Sequence, residues 1–377
     1  MWIGGRNLFY FGGNRKTVTK FLKKLNNFND FLLKTPACAK IWGPTIVVGD
    51  LHFNTGAALF VKRHYESRVK DGYNLVFLGD ILDRGYQAKN GGKQKETDEK
   101  LKKRNANWRL KTIEIVMDLK IKYSEKVTVL SGNHEVEAVN EIFGFKDECI
   151  TLYGKIDGEL IWEKANIVFK NLPKCAILEQ KNESEENINT FLVHGSVPYL
   201  GENANYAGII DKMSNIENKK KFSLSNQDIA NLGNSSYNPG DFYYDKLIVY
   251  NMLCNDCYSE DGVSTYNNRR GMKLVYVIRK VDLDKFKIAN NIQRVISAHD
   301  HHARGYKSYD SGSYIKVISS PNMTNEEPKP PGYILDINKN GKINKIEVKE
   351  LDFDMLKLTG NDLNNTSTFF SEINYQD

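Results

Sequence analysis

Residues 126–149 read KVTVLSGNHEVEAVNEIFGFKDEC, and the rest of the chain has to be arranged around this stretch. It opens with the β-branched run Val127, Thr128 and Val129, the pattern of a buried strand. The run breaks at Ser131-Gly132, presents Asn133-His134-Glu135, and continues at helical spacing. Open α/β folds gather their chemistry at the carboxyl ends of strands. An amide oxygen beside an imidazole at such an end is therefore a candidate site. In isolation, a turn with a left-handed Asn and a helix-capping His would look the same. The other strand ends decide between the two.

Towards the N-terminus, residues 44–48 form a short apolar strand ending at Gly49-Asp50-Leu51-His52, with a helix expected over 57–70. A second strand over 74–78 ends at Gly79-Asp80-Ile81-Leu82-Asp83-Arg84-Gly85. Residues 86–108 are polar and lysine-rich, as expected of a surface insertion before a helix over 109–123. Strand and helix alternate in this order in an α/β sheet. Upstream, residues 16–34 place Val18, Phe21, Leu22, Leu25, Phe28 and Leu32 on one face of a packed helix.

Towards the C-terminus, 166–179 reads as half-buried and 181–189 as an acidic loop, and a strand over 190–193 ends at His194-Gly195. Residues 200–242, rich in Asn, Ser, Gly and Lys, read as a long surface excursion. A strand over 293–297 ends at Ala298-His299, and residues 315–319 lead to Ser320-Pro321-Asn322. Residues 332–348 form a hairpin around an Asn-Gly turn.

Composition narrows the function classes. Of 377 residues, 40% are hydrophobic and 27% charged, ordinary for a soluble globular protein. No apolar run reaches bilayer length, and the opening MWIGGRNLFYFGGNRK offers no small-residue cleavage site, so neither a membrane span nor a signal peptide is expected. Cys38, Cys149, Cys175, Cys254 and Cys257 make an odd set without framework spacing, which favours a reducing, intracellular and cytoplasmic setting. Cys254 and Cys257 form a lone CxxC without the second pair a zinc site needs. A formal charge of +6 suits a phosphate-bearing substrate, while the lack of a zinc-finger or RNP motif argues against a nucleic-acid partner.

The strand ends together supply Asp50, His52, Asp80, Asn133, His194 and His299. Carboxylates, imidazoles and one amide oxygen make a mixed O/N shell suited to Mn, Fe or Zn. Asp80 is the natural bridge, because a carboxylate can hold two cations at once. Two cations about 3.5–4 Å apart lower the pKa of a shared water and clamp a phosphoryl group for in-line attack.

The blocks GDLHFN, GDILDRG, GNHE with FGFKDEC, VHG, NRRG, AHDHHARGY and SSPN occur in the order of a known family. In these blocks, spanning about residues 46–336, the sequence resembles the PPP-type serine/threonine phosphoprotein phosphatases of the calcineurin-like metallophosphoesterase superfamily. The resemblance implies an α/β fold, a β-sandwich of two mixed sheets flanked by helices. It implies one metal on Asp50, His52 and Asp80, and a second on Asp80, Asn133, His194 and His299. Arg84 and Arg270 would grip the phosphate with Asn133. His134 would protonate the leaving alkoxide, oriented by Asp83, whose carboxylate is expected to raise the imidazole's pKa. The implied reaction is hydrolysis of phosphoserine and phosphothreonine in proteins by a hydroxide bridging two metal ions.

Departures from the family pattern remove no metal ligand, and several line the substrate side. Phe53-Asn54 stand where the family usually has Gly-Gln, and Ser131, Ser196, Ser297 and Met323 replace characteristic residues. Those at Phe53, Ser196 and Met323 keep open a related enzyme acting on dinucleotide polyphosphates or nucleotide caps. A non-catalytic binding protein that retains the fold is a different class of answer, against which the full ligand set with His134, Asp83 and Arg84 argues. The expected organisation is an N-terminal helical extension over 1–40, a catalytic domain over 41–350 and a polar tail over 351–377. The insertions at 86–108 and 200–242 are the expected place for a regulatory partner.

Overall fold

The computed structural model describes residues 15–84, 99–232, 241–257, 262, 264–266, 274–299, 305–320 and 331–348. In chain order the first half comprises α1 (Arg15–Leu32), β1 (Cys38–Trp42), β2 (Thr45–Val48), α2 (Thr55–Lys70), β3 (Asn74–Phe77), α3 (Glu99–Lys122), β4 (Val127–Val129), α4 (Glu137–Phe143), α5 (Phe145–Tyr153) and α6 (Lys155–Phe169). Then follow β5 (Cys175–Lys181), β6 (Asn187–Val193), α7 (Ile209–Ser214), α8 (Asn226–Leu232), α9 (Asp241–Cys254), β7 (Asp256–Cys257), β8 (Thr265–Tyr266) and β9 (Tyr276–Ile278). The described chain closes with α10 (Lys280–Ala289), β10 (Arg294–Ser297), β11 (Tyr306–Tyr309), β12 (Tyr314–Val317), β13 (Gly332–Ile337) and β14 (Ile343–Val348).

Two mixed sheets carry the molecule, one ordered β1-β5-β6-β10-β12-β11 and the other β14-β13-β2-β3-β4. Side chains alternate across each strand, and the alternation sorts the core into three layers. Val47, Val76, Leu192, Ile296 and Ile315 point between the sheets. Ile46, Val48, Leu75, Phe77, Val127 and Val129 face outward under α1, α2, α3, α5 and α6. On the far side, Phe191, Val193, Val295 and Tyr314 pack under α7, α9 and α10. This is the expected sandwich flanked by helices.

Local expectations fared unevenly. Helix α1 buries Val18, Phe21, Leu25, Phe28 and Leu32, as its spacing predicts. The helix expected over 109–123 is longer: α3 begins at Glu99, so part of the polar stretch before it is helical, with Ala106 buried. The half-buried segment at 166–179 divides into the end of α6 and the start of β5, and the loop at 181–189 is a tight hairpin between β5 and β6. The excursion over 200–242 is not all surface, because Ile209, Met213, Phe222 and Leu232 are buried in the core. All five cysteines are buried thiols outside any disulfide, including Cys254 and Cys257. The remainder of the 86–108 insertion, Met323 and the 351–377 tail lie outside the described residues.

Candidate metal centre

Parallel pairing brings the sequence-predicted residues to one edge. Val48 pairs with Phe77, and Phe77 with Val129, so the turns after β2, β3 and β4 emerge side by side. In the other sheet Leu192 pairs with Ile296, which sets the turns carrying His194 and His299 next to each other. The two edges are joined where Ser320 N–H donates to the Asp50 carbonyl at 2.8 Å.

These turns are held in unusual backbone. His52, Phe53, Asp80, Asp83, Arg84 and His299 all have φ between 42° and 68°, each at a cost on the order of 1–3 kcal/mol. Two glycines let the loops interlock. A Cβ on Gly79 (φ 108°) would lie 2.3 Å from Gly132 N, and one on Gly132 would lie 2.2 Å from Asp80 Oδ1. The GD and GN pairs in the sequence are thus the two halves of one close backbone crossing.

Asp50, His52, Asp80, His194 and His299 are all at most 3% exposed. His52 Nε2 lies 3.4 Å from Asp80 Oδ2 and 3.6 Å from Asp50 Oδ2. His194 Nε2 lies 3.3 Å from Asp80 Oδ1, 3.0 Å from Asn133 Oδ1 and 3.1 Å from His299 Nδ1. Asp80 sits between both groups, with an oxygen turned to each. Carbonyls fix two of the rings. His52 Nδ1–H donates to the Leu82 carbonyl at 3.0 Å, and His299 Nε2–H donates to the Cys254 carbonyl at 3.2 Å. A carbonyl only accepts, so the other nitrogen of each ring turns its lone pair into the site.

Charge follows the same geometry. Burial alone would raise the Asp80 carboxyl, but His194, His134 and His52 hold it well below the usual carboxylate range. Burial would also lower His194, yet Asp80 and Asp50 outweigh it and lift the imidazole to about 9.

His134, fully buried, places Nδ1 2.8 Å from Asp83 Oδ2, and Asp83 Oδ1 accepts from Phe145 N–H at 2.9 Å. The expected rise in the His134 pKa is not what this environment produces. Burial drives the imidazole well below its ordinary value, and burial with the charges of Glu135 and Asp80 drives Asp83 up to about 9. Desolvation outweighs the pair's mutual attraction, so both groups resist charge in this contact. Arg84 stands beside them, its guanidinium 5.6 Å from the centre of the Phe143 ring. Arg270 lies outside the described residues.

Glu135 went unremarked in the sequence beyond its place in GNHE. It is 4% exposed and takes three backbone N–H groups: Asp80 and Gly132 on Oε2 at 2.8 and 2.7 Å, and Ile81 on Oε1 at 2.8 Å. It clamps the two metal loops together. Its position three residues beyond Gly132 was the available signal, since a carboxylate there can turn back onto the N–H groups of its own turn. Asn54, which departs from the usual family residue, caps α2 by accepting from Ala57 N–H at 2.9 Å.

The residues fit a pair of cations. Asp50 Oδ2, His134 Nε2 and His194 Nδ1 are buried without a hydrogen-bond partner among the described residues, a costly arrangement unless something else engages them. Two ligand groups are close enough to share an ion each, His52 with Asp80 and His134, and Asp80 with His194 and His299. Distance alone admits His134 to the first group in place of Asp50. The donors are nitrogen and oxygen throughout, with no thiolate.

A family model described as calcineurin-like phosphoesterase matches residues 43–303, and the chain belongs to that family. The family uses a dinuclear metal site. The chain is 25% identical over 292 residues to the serine/threonine-protein phosphatase BSL2 of Arabidopsis thaliana, covering 76% of this chain and 23% of that one. It thus spans about a quarter of the length of that curated relative. Among solved structures it is similar to a protein serine/threonine phosphatase from Saccharomyces cerevisiae with similarity to human phosphatase PP5. The TM-score is 0.63 at 16% identity, over 89% of this chain and 90% of the other.

Proposed function

We propose that this chain is a metal-dependent phosphoprotein phosphatase that hydrolyses phosphoserine and phosphothreonine monoesters. The observation that carries the reading is the convergence of the two ligand groups on Asp80, with the His134–Asp83 pair against them. The serine/threonine phosphatases among its relatives support the substrate class.

Asp50, His52 and Asp80 would hold one cation, and Asp80, Asn133, His194 and His299 the other, drawn from Mn, Fe or Zn. When bound, the pair supplies the positive charge that ionises a water and neutralises phosphoryl oxygens. The chain's own residues do the rest. Asn133 turns its amide oxygen to His194, which leaves its NH2 group for a phosphate oxygen. Arg84, and by the family resemblance Arg270, would hold the remaining oxygens with planar donors. Asp83 holds His134 by Nδ1, so that Nε2 is the atom that delivers a proton to the departing alkoxide. The catalytic domain would run over 41–350, the site of action would be cytoplasmic, and a regulatory partner would dock at the 86–108 or 200–242 insertion.

Turnover of phosphoserine, phosphothreonine and phosphotyrosine peptides and of diadenosine tetraphosphate, measured side by side with Mn, tests the reading. The phosphoserine and phosphothreonine peptides should have the highest kcat/KM. Faster turnover of the dinucleotide or of phosphotyrosine overturns the substrate assignment.

A further inference from the structure

A second concentration of charge lies away from the ligand cluster. A cavity of about 560 Å3 opens where the ends of α1 and α6 meet the 3-10 turn Ile216–Phe222, α8 and α9. Its charged wall is made of Lys170, Lys219, Lys220 and Lys246, against Glu217 and Asp228. Leu33, Ile216 and Leu224 supply an apolar wall.

The lysines are unevenly matched. Lys170 has Glu137 at 2.8 Å, and Lys246 has Asp228 at 3.6 Å. Lys219 donates to the carbonyls of Leu32 and Thr35, and Lys220 makes no side-chain hydrogen bond or ion pair among the described residues. Lys174, which lies behind the cavity and does not line it, stands in the field of Lys219, Glu135 and Lys246. It is 4% exposed, and its ammonium finds no hydrogen-bond acceptor among the described residues. Burial, followed by repulsion from Lys219, lowers Lys174 to about 7, and burial with repulsion from Lys120 lowers Lys219 to about 8. Lys219 and Lys220 thus line the cavity with no carboxylate in contact with either among the described residues.

We infer that this cavity binds a small ligand bearing two or more phosphate groups. Ammonium groups serve phosphate as point charges, and an anion lodged against Lys219 and Lys220 would meet the two cavity lysines that no carboxylate contacts among the described residues. The volume falls in the range of small-molecule sites, roughly 300–1,000 Å3, well above what one orthophosphate fills. None of these lysines belongs to the metal centre, so the site is separate from the one that receives the phosphoester.

Pyrophosphate is the probe, titrated calorimetrically at fixed ionic strength into the full-length Asp80→Asn variant. This variant weakens metal binding at the catalytic centre, the rival place for a phosphoanion. One equivalent should bind. Lys220→Gln, which removes a side chain engaged by no described residue, should weaken that binding about threefold or more, and Lys219→Gln with Lys220→Gln about tenfold. In the otherwise wild-type enzyme Lys220→Gln should leave aryl-phosphate turnover within about twofold. Absence of binding to Asp80→Asn, or unchanged affinity in both lysine variants, overturns the inference. Loss of hydrolysis in Asp80→Asn bears on the catalytic reading alone, so the two failures are distinguishable.

Discussion

Glu135→Gln removes one oxygen from the carboxylate that clamps the metal loops, and its cost can be worked from the contacts. Oε2 accepts from Asp80 and Gly132, and Oε1 from Ile81 alone. The cheaper amide orientation keeps the carbonyl oxygen on Asp80 and Gly132 and turns NH2 towards the Ile81 N–H. One hydrogen bond to a charged acceptor is lost, worth about 1.5–3 kcal/mol, and a buried donor is left facing another donor. Glu135 is 4% exposed, so water offers little compensation. The expected loss is about 2–4 kcal/mol, read as a lower urea midpoint at unchanged m-value. Metal affinity should fall with it, because Asp80 keeps its left-handed backbone (φ 50°) only while its N–H is held. A loss below about 0.5 kcal/mol, within the range of an ordinary surface change, would refute the clamp.

Other perturbations test other parts of the site. His134→Ala should reduce turnover of a phosphoserine peptide about 100-fold or more but an activated aryl phosphate far less, since a good leaving group needs no acid; equal losses would count against His134 as proton donor. Gly132→Ala should abolish activity in a chain that still folds, because its Cβ would fall 2.2 Å from Asp80 Oδ1; near-normal kcat would show that the two loops do not cross as described. Lys174→Met addresses pH. Burial holds the folded amine at about 7, with Lys219, Glu135, Lys246 and Cys175 as its charged or titratable neighbours, whereas the unfolded chain keeps about 10.4. Between those values the unfolded state binds more protons, so wild-type stability should rise with pH through that window, by at most about 5 kcal/mol. The variant should lack this rise and gain most below pH 7, and parallel wild-type and variant profiles from urea unfolding would contradict the shift.

Much of this was legible in the residues. Apolar runs ending in GD, GNH, HG and AH give the strand ends, because ligands at such ends need small neighbours and tight turns. Periodicity gave α1 but missed α6, where apolar side chains are spread around the helix and Ile156, Leu160 and Ile167 stay exposed. The excursion over 200–242 misled by composition. Its few apolar residues, among them Met213 and Phe222, are buried, and a handful of anchors suffices to dock a polar segment. Pairing is also hidden from the chain order. Nothing in a one-dimensional reading shows that Glu135 turns back onto Asp80 and Ile81, or that burial overrides the carboxylate's pull on His134. Both depend on how much water the packed loops exclude.

The most direct measurement is the metal content of the purified chain after equilibration with excess Mn and removal of the unbound ion. Two equivalents per chain are expected, falling to one or fewer in Asp80→Asn, because the Asp80 carboxylate turns one oxygen to each ligand group. A chain that hydrolyses phosphoesters while holding no stoichiometric metal, or one whose metal content ignores Asp80→Asn, would contradict the dinuclear centre.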